Sequence, residues 1–137
     1  MSDLPPTLER LVGRFERASS NRLRHEQLLS LAKRLPAFPE TAKVPETKVP
    51  GCVSNVYVTV TQDADGKVHY QGDSDAQLTK GLLALLVEGF DGLAPAEVAT
   101  LQPDFIKRTG LQVSLTTSRA NGFYNMFTMM QRLAAEL

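Results

Sequence analysis

Apolar residues near the start of the chain recur at helical intervals. Leu8, Leu11, Val12 and Phe15 follow an i, i+3, i+4, i+7 pattern, and Leu28, Leu31, Ala32 and Leu35 repeat it. Pro5 and Pro6 suit a helix start and Pro36 a helix end, so two helices are predicted, an antiparallel pair forming one wall of the core. Between positions 36 and 51 the pattern breaks. Pro36, Pro39, Pro45 and Pro50 punctuate polar residues, each fixing its own φ and restricting its predecessor. This stretch reads as ordered coil inside one domain.

Period-two alternation follows. Ser54, Val56, Val58 and Val60 share one face of a predicted strand, and Asn55, Tyr57, Thr59 and Thr61 the other. Asp65-Gly66 marks a hairpin turn, after which Val68 and Tyr70 resume the alternation. Ser74 and Gln77 are spaced as a capping box opening a helix to about position 88. Leu78, Leu82, Leu83, Leu85, Leu86 and Val87 make that helix apolar nearly all round, hence central. Pro95 with Glu97, and Pro103 with Gly110, bracket two short helices. A last helix from Thr117 or Ser118 buries Phe123, Met126, Phe127, Met130 and Leu133. Strands adjacent in sequence and flanked by helices predict an α+β fold, a small antiparallel sheet packed against helices, in a single domain over 1–137.

Composition narrows the function classes. Fifteen basic residues balance fifteen acidic ones, which argues against nucleic acid or an anionic membrane as the main partner. The start, Met1-Ser2-Asp3-Leu4-Pro5-Pro6, lacks the basic segment and apolar run of a signal peptide, and no stretch approaches the roughly 20 apolar residues of a membrane span. A cytoplasmic protein is expected, or the mature part of an organellar one. No exposed apolar seam is evident, so a monomer is expected.

The single cysteine, Cys52, excludes an intramolecular disulfide framework and an all-cysteine metal cage. In Val49-Pro50-Gly51-Cys52, proline and glycine occupy the second and third positions of a type II turn, the third requiring φ > 0. Such a turn puts Cys52 on a sharp corner at the sheet edge. Gly51 also leaves bare backbone beside the sulfur, where another protein could approach. Free cysteines are commonly small buried hydrophobes, and residue chemistry alone leaves both readings open.

Competing motifs fail. His25-Glu26 lacks the second histidine of H-E-x-x-H, because position 29 is Leu. Ser30 and Lys33 have S-x-x-K spacing without any partner motif and read as a solvated helix face. His69 falls on the solvent side of its strand, and neither it nor His25 has the context of a base for a cysteine nucleophile. Met126, Met129 and Met130 read as core. An accessible thiol can perform thiol exchange unaided, and a local cation such as Lys48 would raise its thiolate fraction.

Four segments resemble the SufE family, the sulfur-acceptor partners of SufS-type cysteine desulfurases in iron–sulfur cluster assembly. They are Val49-Pro50-Gly51-Cys52-Val53-Ser54-Asn55-Val56-Tyr57, Gln71-Gly72-Asp73-Ser74-Asp75-Ala76, Lys80-Gly81-Leu82 and Leu115-Thr116-Thr117-Ser118-Arg119-Ala120-Asn121-Gly122. The resemblance covers nearly the whole chain and implies an α+β fold like that of IscU-type scaffolds. It implies that Cys52 forms the persulfide at a loop tip and that Arg119 helps dock and activate the desulfurase. Asp73, Ser74 and Asp75 match a segment that shapes the cysteine loop, and with Gly51 they complete the expected partner-binding set. The implied chain is a sulfur carrier and desulfurase activator, not an enzyme. It would hold no cofactor or metal of its own, since the pyridoxal phosphate belongs to the partner enzyme. A SufBCD-type scaffold complex is the implied downstream partner, and a plastid stroma an alternative location. The alternative function is a regulatory domain that docks a desulfurase without relaying sulfur. Two positions depart from the family pattern: Tyr57, where tryptophan is frequent, and Pro50, where a polar residue is usual.

Overall fold

A computed structural model describes residues 4–111 and 115–137. The first residues of the N-terminal reading above, 1–3, lie outside the described residues. Pro6 opens helix α1 (Pro6–Glu16), which buries Leu8, Leu11, Val12 and Phe15. Ser20 caps α2 (Asn21–Arg34), its hydroxyl accepting from the Leu23 amide at 3.2 Å. Two 3₁₀ turns, Glu40–Ala42 and Pro45–Thr47, shape the proline-rich connector. Strands β1 (Val56–Gln62) and β2 (Val68–Ser74) form a two-stranded antiparallel sheet, pairing Val56 with Ser74 and Gln62 with Val68. Helices α3 (Gln77–Phe90), α4 (Pro95–Thr100), α5 (Phe105–Thr109) and α6 (Thr117–Ala135) complete the α+β architecture.

α3 is the central post, as its all-round apolar sequence requires; ten of its residues are buried. α2 and β2 pack along it, and α1 packs on both α3 and α5. The first two helices both pack on α3 and also touch each other, Gln27 Nε2 of α2 donating to the Arg14 carbonyl of α1 at 3.3 Å. Gly81 is what lets α2 come so close. A Cβ there would lie 2.7 Å from the Leu28 carbonyl carbon. Arg108 of α5 ties α1 down by a bidentate pair with Glu9 (2.6 and 3.0 Å) and a second with Glu16 (3.0 and 3.1 Å).

Two sequence expectations shift. β1 starts at Val56, so Ser54 lies in the preceding loop instead of in the strand. The Ser74/Gln77 capping box does not form. Ala76 occupies the N-cap without a side-chain bond, while the Ser74 hydroxyl accepts from the Ala76 amide at 3.2 Å, and α3 runs on to Phe90. Ser74 is the last strand residue and buried, so its hydroxyl is committed to turning the chain into the helix.

α6 is positioned by the core. Phe90, Phe105, Phe123 and Phe127 meet in edge-on and tilted pairs 5.6–6.4 Å apart. The buried Tyr70 hydroxyl of β2 donates to the Met130 carbonyl at 2.6 Å. Hairpin and last helix are thereby locked together, and the N-terminal turns of α6 lie against the chain just before β1.

Candidate functional site

The cysteine loop is an excursion from the sheet edge. Lys48 bridges to Tyr57, and the Val49 amide donates to the Val56 carbonyl at 2.8 Å, closing its base. Phe38 of the connector stacks on Tyr57 at 6.5 Å beneath it, so an aromatic is used where the family pattern often has tryptophan. Gly51 has φ +75°, the left-handed conformation the Pro-Gly dipeptide predicts. Val53 at the tip is 85% exposed, the most exposed of the large apolar side chains described.

Asp75 holds the returning leg. Its carboxylate accepts from the Asn55 amide (3.1 Å) and from Asn55 Nδ2 (2.9 Å), and its own amide donates to the Asn55 carbonyl (3.2 Å). Asp73 and Ser74 act one step further away. Asp73 pairs with Lys43 and Lys80, both at 3.1 Å, stitching the connector and α3 to β2. Burial opposes ionisation of Asp73, but the hydrogen bonds from the two lysines outweigh it and hold the carboxyl below its ordinary range. Of the three residues expected to shape the loop, only Asp75 touches it.

Cys52 itself is half-buried, its Sγ turned inward and 3.8 Å from the Gly122 carbonyl of α6. It faces a shallow cavity of about 230 Å³ lined by Val53, Ser54, Thr79, Thr116, Ser118, Arg119 and Gly122. Sequence reasoning brought Cys52 and Arg119 into one proposal, and the fold brings them to one cavity. Thr116 caps α6, accepting from the Arg119 amide at 3.3 Å, which fixes the first turn and with it the arginine. Among the described residues the Arg119 guanidinium has no ion-pair partner.

Burial pushes the Cys52 thiol above its ordinary pKa. In this conformation the resting sulfur is therefore harder to ionise than a free thiol, and a poorer nucleophile for it. Lys48, the cation expected to activate it, does not line the cavity. Neither histidine does. His69 sits at the far end of the hairpin, opposite Thr61, between Asp63 and Asp91 at 2.7 Å each.

Sequence reasoning missed two residues here. Gly122 supplies the small surface against which the sulfur rests. Asn125 reaches back to the loop, its Nδ2 donating to the Gly51 carbonyl at 3.1 Å. The available signal was spacing: Arg119, Gly122 and Asn125 recur every three residues along one helix. Asn125 also changes the reading of Gly51. A Cβ on Gly51 would lie 2.6 Å from Asn125 Nδ2, so the bare side of this glycine is filled by the protein's own α6 instead of lying open to a visitor.

Residues 9–134 match the family model SufE, described as an Fe-S metabolism associated domain. The chain belongs to the SufE family. A SufE-like protein of Synechocystis sp. is 58% identical over 131 residues, covering 96% of this chain and 82% of that one. The SufE-like protein 1, chloroplastic/mitochondrial, of Arabidopsis thaliana is 42% identical over all of this chain but only 37% of its own length. The cysteine desulfuration protein SufE of Plasmodium vivax is 36% identical over 98% of this chain and 55% of that protein. The chain thus spans most of one relative and about a third to a half of the others. A solution structure of a hypothetical protein from Thermus thermophilus superimposes with a TM-score of 0.82 at 25% identity, covering 97% and 96% of the two chains. SufE membership places the chain in iron–sulfur metabolism. Among the described residues no helix is long and apolar enough to cross a membrane.

Proposed function

We propose that Cys52 accepts a sulfane sulfur from a SufS-type cysteine desulfurase as a persulfide and passes it to the iron–sulfur assembly machinery, a SufBCD-type scaffold complex. The observation that carries this reading is the placement of a lone thiol on a narrow loop. The loop's legs are anchored, its tip is exposed, and its sulfur is sheltered beside Arg119. Relatives named cysteine desulfuration protein SufE support the same direction.

In the transfer, the Cys52 thiolate attacks the outer sulfur of the donor's cysteine persulfide. A new S–S bond forms to Cys52 as the donor's S–S bond breaks, and the donor cysteine leaves as a thiolate. Nothing is oxidised or reduced overall, and the thiol proton of Cys52 ends on the departing donor sulfur. The pyridoxal phosphate that generates the donor persulfide belongs to the desulfurase. This chain contributes position and protonation state. At rest burial opposes ionisation of its thiol; swinging the tip out removes that desolvation, and ionisation becomes easier. Val53 offers the donor an apolar contact at the tip, and Arg119 a cation beside the sulfur.

Cys52→Ser tests the relay. With desulfurase and cysteine, mass spectrometry should find one added sulfur on the wild type and none on Cys52→Ser, which should also fail to stimulate desulfurase turnover. Stimulation by Cys52→Ser equal to wild type would make the chain a docking regulator instead. Arg119→Ala should retain the wild-type Tm and stimulate less; a lowered Tm with full stimulation would reduce Arg119 to a helix-start residue.

A further inference from the structure

We propose that Asn125 is the latch that sets how often the Cys52 loop opens. Its mechanistic consequence rests on the reading of Cys52 as sulfur acceptor. The loop divides into two anchored legs and a free tip. Val49 is tied to Val56 and Asn55 to Asp75, so the hydrogen bonds of both legs lie outside residues 50–54. Within the tip, and among the described residues, two polar contacts reach the rest of the protein, beside the apolar packing of Cys52 against the core. One is the Asn125 Nδ2 bond to the Gly51 carbonyl at 3.1 Å. The other is the thiol's approach to the Gly122 carbonyl at 3.8 Å, a weak donor at the limit of contact.

Geometry makes the amide more than an incidental neighbour. Gly51 sits at φ +75° with its bare α-carbon against Asn125, where a Cβ would lie 2.6 Å from Nδ2, so the latch fits only because residue 51 has no side chain. Asn125 is half-buried on a helix that the aromatic core and the Tyr70–Met130 bond hold in place. It is therefore a fixed point from which a single neutral hydrogen bond restrains the tip. Releasing Gly51 frees the residue adjacent to Cys52, so the sulfur can leave the Gly122 surface without either leg detaching. Asn125 touches no substrate; it is a positioning residue that acts through Gly51.

Alkylation of Cys52 by iodoacetamide in the isolated full chain, followed by mass spectrometry across pH, reads tip opening directly. Removing one neutral hydrogen bond should raise the limiting rate roughly two- to tenfold in Asn125→Ala. In Asn125→Asp the donor is lost and a carboxylate faces a carbonyl, so the rise should be at least as large. Gln131→Ala is the control. It removes bonds of the same kind from the same helix, to the Val98 and Leu101 carbonyls at 3.0 and 2.9 Å, away from the loop. It should lower Tm and leave alkylation at the wild-type rate. Alkylation of both Asn125 variants at the wild-type rate overturns the latch. So does equal acceleration by Gln131→Ala, which would mean that the whole fold, not the tip, opens. If Asn125→Ala unfolds at the assay temperature, Asn125→Asp and amide exchange at Val53 carry the decision. No sulfur donor is present, so failure here removes the latch and leaves the acceptor reading standing. Absence of sulfur on Cys52 with desulfurase present would do the reverse.

Discussion

Gly51→Ala concentrates the loop's energetics in one methyl group. At φ +75° an alanine costs about 1–2 kcal/mol relative to a right-handed conformation. Its Cβ would stand 2.6 Å from Asn125 Nδ2, so the amide must swing away and give up its bond to the residue 51 carbonyl, worth roughly 0.5–1.5 kcal/mol. Alanine also stiffens the released chain, returning about 0.4–1 kcal/mol in favour of the closed form. The closed tip therefore loses about 0.5–3 kcal/mol, which corresponds to a roughly two- to 150-fold larger open population. Because both legs stay anchored, the loss falls on local opening, and Tm should change little. The assay is Cys52 alkylation against pH, whose limiting rate reports opening and whose midpoint reports the thiol. A wild-type limiting rate in Gly51→Ala would refute this reasoning. A double-mutant cycle refines it. In an Asn125→Ala background the clash and the bond are already gone, so Gly51→Ala should have a smaller effect there. Fully multiplicative effects would mean that residues 51 and 125 do not communicate.

Two further predictions concern the scaffold. Gly81→Ala gains up to about 1 kcal/mol in helix propensity but forces a methyl against the Leu28 backbone, an overpacking that costs about 1–3 kcal/mol, so its urea midpoint should fall; an unchanged or raised midpoint would mean that α2 is free to shift. His69 has its pKa raised above 6.5 by its hydrogen bonds to Asp63 and then to Asp91. A raised histidine stabilises fully below its unfolded pKa and loses that contribution as pH rises through the folded one, while Asp63, held low by the same bond, stays ionised across that window. Tm should therefore decline from about pH 6.5 upward more steeply in wild type than in His69→Gln, and parallel curves would refute the pairing.

The parts of this protein legible in its sequence are those whose cause is local. The i, i+3, i+4 faces of Leu8 to Phe15 and Phe123 to Leu133 are set by helical geometry, and both are buried as read except Leu133, which is only partly covered. Gly51 adopts positive φ because Pro-Gly asks for it. What escaped depends on partners distant in the chain. Asn125 and Gly51 are separated by 74 residues, and Arg108 and Glu9 by 99; helical spacing puts Asn125 on the Arg119 face, but nothing in the sequence names Gly51 as its partner or Glu9 as that of Arg108. Ser54 failed as a strand residue for a related reason. Alternation continues through it, but the ladder stops at the Val56–Ser74 pair, because the Asn55 amide goes to the Asp75 carboxylate instead of to backbone. Ser74 and Gln77 matched a capping motif, yet at the end of a buried strand the hydroxyl found the Ala76 amide first.

The division between firm legs and a weakly held tip bears on how a carrier thiol can be both safe and usable. A sulfur fixed in the cavity by many bonds would stay protonated and shielded, and a donor would have to break all of them. A sulfur on an unanchored loop would ionise more readily and lie open to any oxidant. Here the cost of exposure is limited to one amide bond, one weak thiol contact and the apolar packing of Cys52 against the core. That cost is small enough for a docking partner to offset by covering Val53 and engaging Arg119, since burying an exposed valine alone contributes about 1.5 kcal/mol or more. On this argument Pro50 does not obstruct transfer. The conformational change falls on Gly51 and the residues after it, while proline keeps the entering leg extended from Val49, so that only the tip moves.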